Sequence, residues 1–408
     1  MHILFLTDNF PPEVNAPASR TYEHALCWVA RGCKVTVITC FPNFPEGKIF
    51  HGYKNKWYDS EVIDGINVVR VKTFISANEG IFLRTIDYLS FMFSSFFAGL
   101  FQKKPDVILA TSPQFFTSIS GWLLATVRRR PFIFELRDLW PISIVAVGVM
   151  RKSYIIKLLE KLELFLYKKS DAIVSLTDSF KLDLTSRGID PNKIYVIQNG
   201  VDLGFYQPIE YKDSKLLSKH SIKNKFIIGY IGTHGMAHGL EVVIDAAKKL
   251  IKYPEILFLM VGSGASKNLI QRLAKSENLN NILFIDIQPK KRIKSYYSIC
   301  DLSLIHLKDN EVFSKVIPSK LFESMGMGIP ILMSLPKGEA TKIVEDHKCG
   351  VIIPPEDGKL LANSILELKS NVKDLKQLRE SSIKASKKFS REVKANEMLK
   401  ILRHFSKN

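Results

Sequence analysis

The stretch FIIGYIGTHGMAHGL, Phe226–Leu240, decides the fold. Its first six residues are apolar with no polar alternation, which reads as a strand covered on both faces. Glycines follow at Gly232, Gly235 and Gly239, and a helical apolar pattern opens at Leu240. Strand, glycine turn and helix in that order begin a doubly wound parallel sheet. Moving toward higher numbers, the unit repeats: Leu257–Val261, Ile282–Ile285, Leu302–Ile305, Ile329–Met333 and Val351–Ile353 are short apolar runs with helical stretches between them. Moving toward lower numbers, the same alternation holds in Ile3–Thr7, Val35–Thr39, Ile66–Val71, Val107–Thr111, Phe132–Leu136, Ala172–Leu176 and Ile194–Ile197. Helical periodicity occupies Ala18–Ala30, Phe115–Val127 and Tyr154–Lys169.

A chain of 408 residues is too long for one core and suits two domains. NGVD (Asn199–Asp202) and the polar stretch Tyr211–Lys225 mark the change, so the expected division is 1–205, 206–388 and a helical segment 389–408. The reading is α/β: two Rossmann-like domains in tandem, facing each other across a cleft. The net charge is +18, and residues 359–408 carry +8 of it. Such a basic surface attracts anionic lipid, nucleic acid or a phosphorylated substrate, or is a solvated helix face. Five scattered cysteines fit neither a disulfide framework nor a zinc site, and suggest a reducing compartment. MHILFLTDNFPP lacks a basic leader region and reads as a buried strand, not a signal peptide. Ile86–Phe101 is the most membrane-like segment, but it is too short to span and carries Asp87. It is expected to be a helix packed on a sheet or one that dips into a bilayer surface, with Lys103 and Lys104 beside it.

In open parallel sheets ligands bind beyond the carboxyl ends of the strands. Four loops there carry chemistry. DNFPPEVNAPAS (Asp8–Ser19) lacks GxGxxG, which argues against a nicotinamide dinucleotide. In GTHGMAHG (Gly232–Gly239) backbone amides and the following helix end can converge on a phosphate, with His234 and His238 as further donors; a plain tight turn explains it as well. VGSG (Val261–Gly264) is a second such turn. In SKVIPSKLFESMGMGIP (Ser314–Pro330), Pro318 opens a helix on which Lys320 and Glu323 share a face. The cation suits a diphosphate and the carboxylate a ribose diol, the alternative being a local salt bridge. ELRDLWP (Glu135–Pro141) offers Asp138 or Glu135 as a base or acceptor ligand, or a buried Arg137–Asp138 network.

These motifs, from LTDNFPPE, GCKVTVIT, PDVILATSP and ELRDLWP to IQNGVD, DLSLIHLK and PSKLFESMGMGIPIL, resemble the retaining glycosyltransferases of the GT-B fold. The likeness points to the branch that builds bacterial O-antigen and capsule, nearest in type to N-acetyl-L-fucosamine transferases. It implies a C-terminal helix that crosses back to the first domain. It also implies a UDP-sugar donor, carrying an N-acetylated or 6-deoxy hexosamine, and a lipid-diphosphate-linked saccharide acceptor. Residue by residue, it implies Glu323 at the ribose, Lys320 at the diphosphate and Gly232 in the phosphate loop, with Thr233, His238 and Lys315 on the donor side. Lys315 stands where many relatives have a Glu, and Thr233 and His238 stand near positions usually held by Arg and Lys. Glu13, Asn15, Arg137 and Asp138 are expected on the acceptor side, and Asp138, Lys320 and Glu323 form the catalytic set. No D-x-D motif is present, so a metal-independent reaction without cofactor is expected, on the inner face of the plasma membrane, without nucleic acid as partner. A sugar-nucleotide epimerase and a non-catalytic nucleotide-sugar-binding subunit are the competing readings.

Overall fold

Nearly every apolar run becomes a buried strand in the computed structural model, which describes residues 1–44, 46–76, 81–112, 114–141 and 154–407. The chain divides into two units: Met1–Asn199 with Arg391–Asn408, and Gly200–Ser390.

In unit 1 the strands are β1 (His2–Leu6), β2 (Lys34–Cys40), β3 (Tyr58–Ile63), β4 (Ile66–Val71), β5 (Val107–Thr111), β6 (Phe132–Leu136), β7 (Ala172–Ser175) and β8 (Ile194–Val196). They form one sheet in the order β3-β4-β2-β1-β5-β6-β7-β8, and only the β3–β4 pair is antiparallel. Ile3 lies opposite both Val35 and Val107, so β1 is flanked by β2 and β5 and the strand order reverses there. That switch point is where a doubly wound sheet opens a crevice. The sequence reading has no β3. Its signal was the Asp64-Gly65 pair, with φ of 50° and 81°, which is the hairpin turn between β3 and β4.

Alternate strand residues point to opposite faces. Phe5, Val37, Leu109 and Ile133 join a core with Trp28 of α1 (Ala16–Ala30) and with Met398, Leu399 and Leu402 of the helix Arg391–Ser406. Trp28 Nε1 donates to the Ala395 carbonyl at 2.9 Å, so that last helix belongs to unit 1. The other face is covered by α2 (Ile81–Leu100), α3 (Phe115–Arg128) and α4 (Tyr154–Lys169), laid side by side. A side chain at Gly121 of α3 would meet Ala110 and Phe132 of the sheet. Helix α1 starts two residues before the expected Ala18. Asn15 caps it by accepting from the Ala18 amide at 2.9 Å, and Pro17 fits its first turn. The helix α5 (Asp178–Ser186) is capped in the same way by Thr177.

Unit 2 opens with a short α6 (Ser214–Lys219). Its sheet is wholly parallel, in the order β11-β10-β9-β12-β13-β14, built from β9 (Phe226–Ile231), β10 (Ile256–Val261), β11 (Ile282–Ile285), β12 (Leu302–His306), β13 (Ile331–Ser334) and β14 (Gly350–Ile353). Ile228 pairs with both Phe258 and Leu302, which places the switch point between β9 and β12. The helices are α7 (Glu241–Leu250), α8 (Lys267–Ser276), α9 (Lys290–Ser298), α10 (Glu311–Ser314), α11 (Ser319–Met327), α12 (Glu339–His347), α13 (Gly358–Ser370) and α14 (Val372–Ser386). The final helix, Arg391–Ser406, is α15. The chain leaves unit 1 after Asn199 and returns at Arg391, whereas the sequence reading places these limits at 205/206 and 388/389. Among the described residues no helix is long and apolar enough to cross a membrane.

Candidate functional site

The switch point of unit 2 collects the polar groups that the sequence singled out. Pro318 precedes α11, whose second residue is Lys320. Its ammonium is buried and has no hydrogen-bond partner among the described residues; it stands 3.6 Å from the centroid of the Tyr230 ring. Gly232, just past β9, has φ +137°, and a Cβ there would lie 3.3 Å from Lys320 Cε and Nζ. The backbone conformation there favours glycine, and a Cβ would also crowd the end of the lysine. Burial drives the Lys320 pKa down to about 7 against the opposing pull of Glu323. A buried cation resting on an aromatic face, at a helix N-terminus and under a glycine turn, is arranged to receive an anion.

Glu323 follows one helical turn later. The Tyr297 hydroxyl, on α9, donates to its Oε2 at 2.8 Å, and Tyr297 is 1% exposed. That bond orients the carboxylate from a residue far away in sequence.

Three histidines surround the glycine turn. His234 has no exposed surface, and neither ring nitrogen has a partner among the described residues. Its backbone is fixed from both sides: its amide donates to the Ser263 carbonyl and its carbonyl accepts from the Ser266 amide, each at 2.8 Å. The two glycine turns of the sequence reading thus interlock; a side chain at Gly262 (φ +144°) would collide with the Gly232 carbonyl. Burial, with Lys320 adding to it, depresses both His234 and His238 to about 3, so both are neutral. His306, at the end of β12, accepts at Nε2 from the Glu356 amide (3.2 Å), so its Nδ1 carries the proton donated to the His238 carbonyl at 2.5 Å. It links the glycine turn to the loop after β14. With these histidines neutral, Lys320 is a cation that this cluster offers to a bound anion.

The other donor-side expectations are placed differently. Thr233 is exposed, and its carbonyl accepts from the Tyr230 hydroxyl at 2.7 Å. Lys315 lies 3.3 Å from Glu311, in an ion pair on α10 and its cap.

In unit 1 the acceptor-side residues have structural partners. Glu13 Oε1 accepts from the Asn43 and Phe44 amides, both at 2.9 Å, which holds the first loop against the next. Asn15 is the α1 cap described above. Arg137 donates to the Pro17 and Ala16 carbonyls at 3.3 Å, and burial lowers its pKa to about 9. The buried network at ELRDLWP includes a pair that the sequence reading does not contain. It is Arg20–Glu135, 2.8 Å apart and each 1% exposed, with Arg20 also donating to Asn199 Oδ1 at 3.0 Å. Burial favours a neutral Glu135, but Arg20 and Arg137 outweigh it and the carboxyl titrates below its usual range. Arg20 thus holds Oε1, while Oε2 is buried without a hydrogen-bond partner among the described residues. Asp138 lies half-buried beyond β6.

The structure therefore brings Gly232, His238, Lys320 and Glu323 to one place in unit 2. Sequence reasoning missed Tyr230, Tyr297 and His306 there; Tyr230 and His306 lie inside quoted stretches without being singled out, Tyr297 lies outside all of them, and the strand order puts them beside α11. Among the described residues no group of three His, Cys, Asp or Glu side chains is placed to hold a metal ion.

Residues 213–388 match the model of the glycosyl transferases group 1, and residues 18–205 match that of glycosyltransferase family 4. The chain is 25% identical, over 80% of its length and 82% of the relative's, to the Escherichia coli protein named as a colanic acid biosynthesis glycosyl transferase, WcaI. It is 24% identical to WbjE of Pseudomonas aeruginosa, named a glycosyltransferase, over 65% of this chain and 66% of that one. Among solved structures, Anabaena HepE in complex with UDP matches 99% of this chain and 100% of its own, with a TM-score of 0.72 at 16% identity. The sucrose-phosphate synthase of Thermosynechococcus elongatus matches 99% and 98%, with a TM-score of 0.79 at 16% identity.

Proposed function

The chain belongs to the group 1 glycosyltransferases of GT-B fold, and on that premise we propose that it moves a sugar from a UDP-sugar to a lipid-diphosphate-linked saccharide, with retention of configuration, in bacterial surface polysaccharide assembly. The observation that carries the reading is the Lys320 ammonium under Gly232, without a hydrogen-bond partner among the described residues and one helical turn before Glu323. Lys320 and the amides of the glycine turn bind the diphosphate, and Glu323, held by Tyr297, accepts from the ribose hydroxyls. Charge that develops on the leaving diphosphate is stabilised by that fixed cation and by the α11 N-terminus. Asp138 is the acceptor-side candidate for a catalytic role, and no metal or cofactor takes part. The UDP complex of HepE supports the donor, the name of WbjE supports glycosyl transfer, and that of WcaI supports the pathway class. The N-acetylated or 6-deoxy hexosamine, the lipid-linked acceptor and a peripheral position on the cytoplasmic membrane face complete the proposal.

The test is a panel of UDP-sugars with and without a lipid-diphosphate saccharide, read by UDP release and by the anomeric configuration of the product. Acceptor-dependent UDP release is expected. A donor sugar altered without acceptor and without UDP release would make the protein an epimerase instead. UDP binding without turnover on any pair would make it a binding subunit. Glu323→Ala is expected to lower kcat/KM by roughly 10- to 100-fold for each hydrogen bond to the carboxylate that is lost. Unchanged kinetics would remove Glu323 from the site.

A further inference from the structure

The outer side of the α2–α3–α4 layer is apolar where a solvated helix layer carries charge. In α2, Phe91, Ser95, Ala98 and Gly99 face inward: Ser95 Oγ donates to Ser120 Oγ at 2.9 Å, and a side chain at Gly99 would run into Leu124. Phe93, Phe97 and, just past the helix, Phe101 recur at helical spacing on the other side, 57%, 56% and 84% exposed. In α4, Ile156, Glu163, Leu166 and Tyr167 are buried, while Ile155 and Leu158 stand out, 58% and 57% exposed. Lys157, Lys161 and Lys168 form an exposed row beside that second stripe, and Lys103 and Lys104 follow the first. Helix α3 lies between the two stripes, and its Trp122 makes an edge contact with Phe165 of α4, ring centroids 5.0 Å apart.

Exposed aromatic rings and aliphatic branches on helices of one layer, with flexible lysines alongside, form the pattern of a helix lying in a membrane interface. The charge decides the occupant, since a row of lysines beside apolar stripes matches anionic lipid headgroups and adds attraction for each cation near the surface. Because half of α2 is packed on α3, the helix cannot sink as a whole, and only its outer stripe is available. We propose that the outer faces of α2 and α4 together form a platform that rests on an anionic lipid bilayer, the phenyl rings at headgroup depth and the lysines on the lipid phosphates. This deepens the membrane position proposed above and rests on it. It narrows Ile86–Phe101 to one stripe and adds α4, to which the sequence reading gives no membrane role.

The full chain is mixed with phosphatidylcholine vesicles with and without phosphatidylglycerol, at low and high salt, and sedimented. Binding is expected to require the anionic lipid and to weaken with salt. The triple change Lys157→Gln, Lys161→Gln and Lys168→Gln leaves the apolar stripes intact and is expected to weaken it by roughly fivefold per lysine, about 100-fold in all. Phe93→Ser with Phe97→Ser is expected to weaken it comparably, and UDP binding by calorimetry stays unchanged in both variants. Vesicle binding that ignores the α4 lysines overturns the platform. So does a dimer in light scattering that Leu158→Ser dissolves, because a second copy then covers the face. Transfer to a lipid-linked acceptor in detergent without vesicle binding rejects the platform alone; vesicle binding without any lipid-linked transfer rejects the acceptor reading and leaves the platform standing.

Discussion

UDP binding should be tied to the protonation of Lys320, and the size of the effect follows from its environment. The ammonium is buried without a hydrogen-bond partner among the described residues, and its pKa is lowered to about 7 by burial, with Glu323 opposing. A diphosphate favours the charged form, so binding raises that pKa and takes up protons. Affinity is then full below pH 7 and falls above it. With the free pKa at about 7, the apparent Kd scales as one plus the ratio of neutral to charged lysine, roughly 2 at pH 7 and 100 at pH 9, a loss of about fiftyfold. The terminal phosphate of UDP titrates near pH 6 and contributes little over this range. Isothermal titration in buffers of different ionisation enthalpy reads both Kd and proton uptake, which should be about half a proton at pH 7 and approach one near pH 9. Lys320→Met should bind weakly and without pH dependence, close to the wild-type value at pH 9. A wild-type Kd that is flat from pH 7 to pH 9, or binding at pH 7 without proton uptake, would refute the assignment of Lys320 to the diphosphate.

Other perturbations test the same geometry. Without ligand, Lys320→Met should stabilise the protein at pH 6, where the lysine is charged, by about 1–3 kcal/mol, or roughly 2–4 °C for each kcal/mol. The gain should shrink toward pH 9, because a lowered folded pKa makes wild-type stability rise with pH above 7. Tyr297→Phe removes the 2.8 Å bond to Glu323 and should raise KM for the donor by roughly 2- to 10-fold with kcat nearly unchanged; a fall in kcat alone would count against a positioning role. Arg20→Ala strands Glu135 as a buried carboxylate and should cost about 3–5 kcal/mol in denaturant unfolding, whereas a loss under about 1 kcal/mol would show that the 2.8 Å pair is not what holds β6 to α1.

The parallel sheets were legible because their strands are continuous apolar runs, and every such run lies in a strand or at the edge of one. The edge hairpin was not. Tyr58–Ile63 alternates exposed and half-buried residues on the rim of the sheet, and its clearest signal was the two-residue turn Asp64-Gly65. At the candidate site, Lys320 and Glu323 were readable as neighbours on one helix, since helical spacing is local. Tyr297 and His306 were not, because their contacts to Glu323, the His238 carbonyl and the Glu356 amide depend on which strands lie side by side. On the acceptor side the structure adds a partner that the sequence did not show. Glu135 has the type and position of a base, and only the partner 115 residues earlier in sequence, Arg20, shows it to be a structural ion pair.

Unit 1 is assembled from two separated stretches of chain and unit 2 from one, and this sets an order of assembly. As the chain emerges from the ribosome, residues 1–199 lack the side chains of Met398, Leu399 and Leu402 that close their core against Trp28. Unit 2 is contiguous and has all of its strands once residue 353 is out. The domain synthesised first is therefore the last to be completed, and its exposed α1 surface waits while nearly two hundred further residues are made. A fragment ending at Asn199 would keep every strand of the first sheet and still lack part of its core, whereas Gly200–Ser390 contains all of its own.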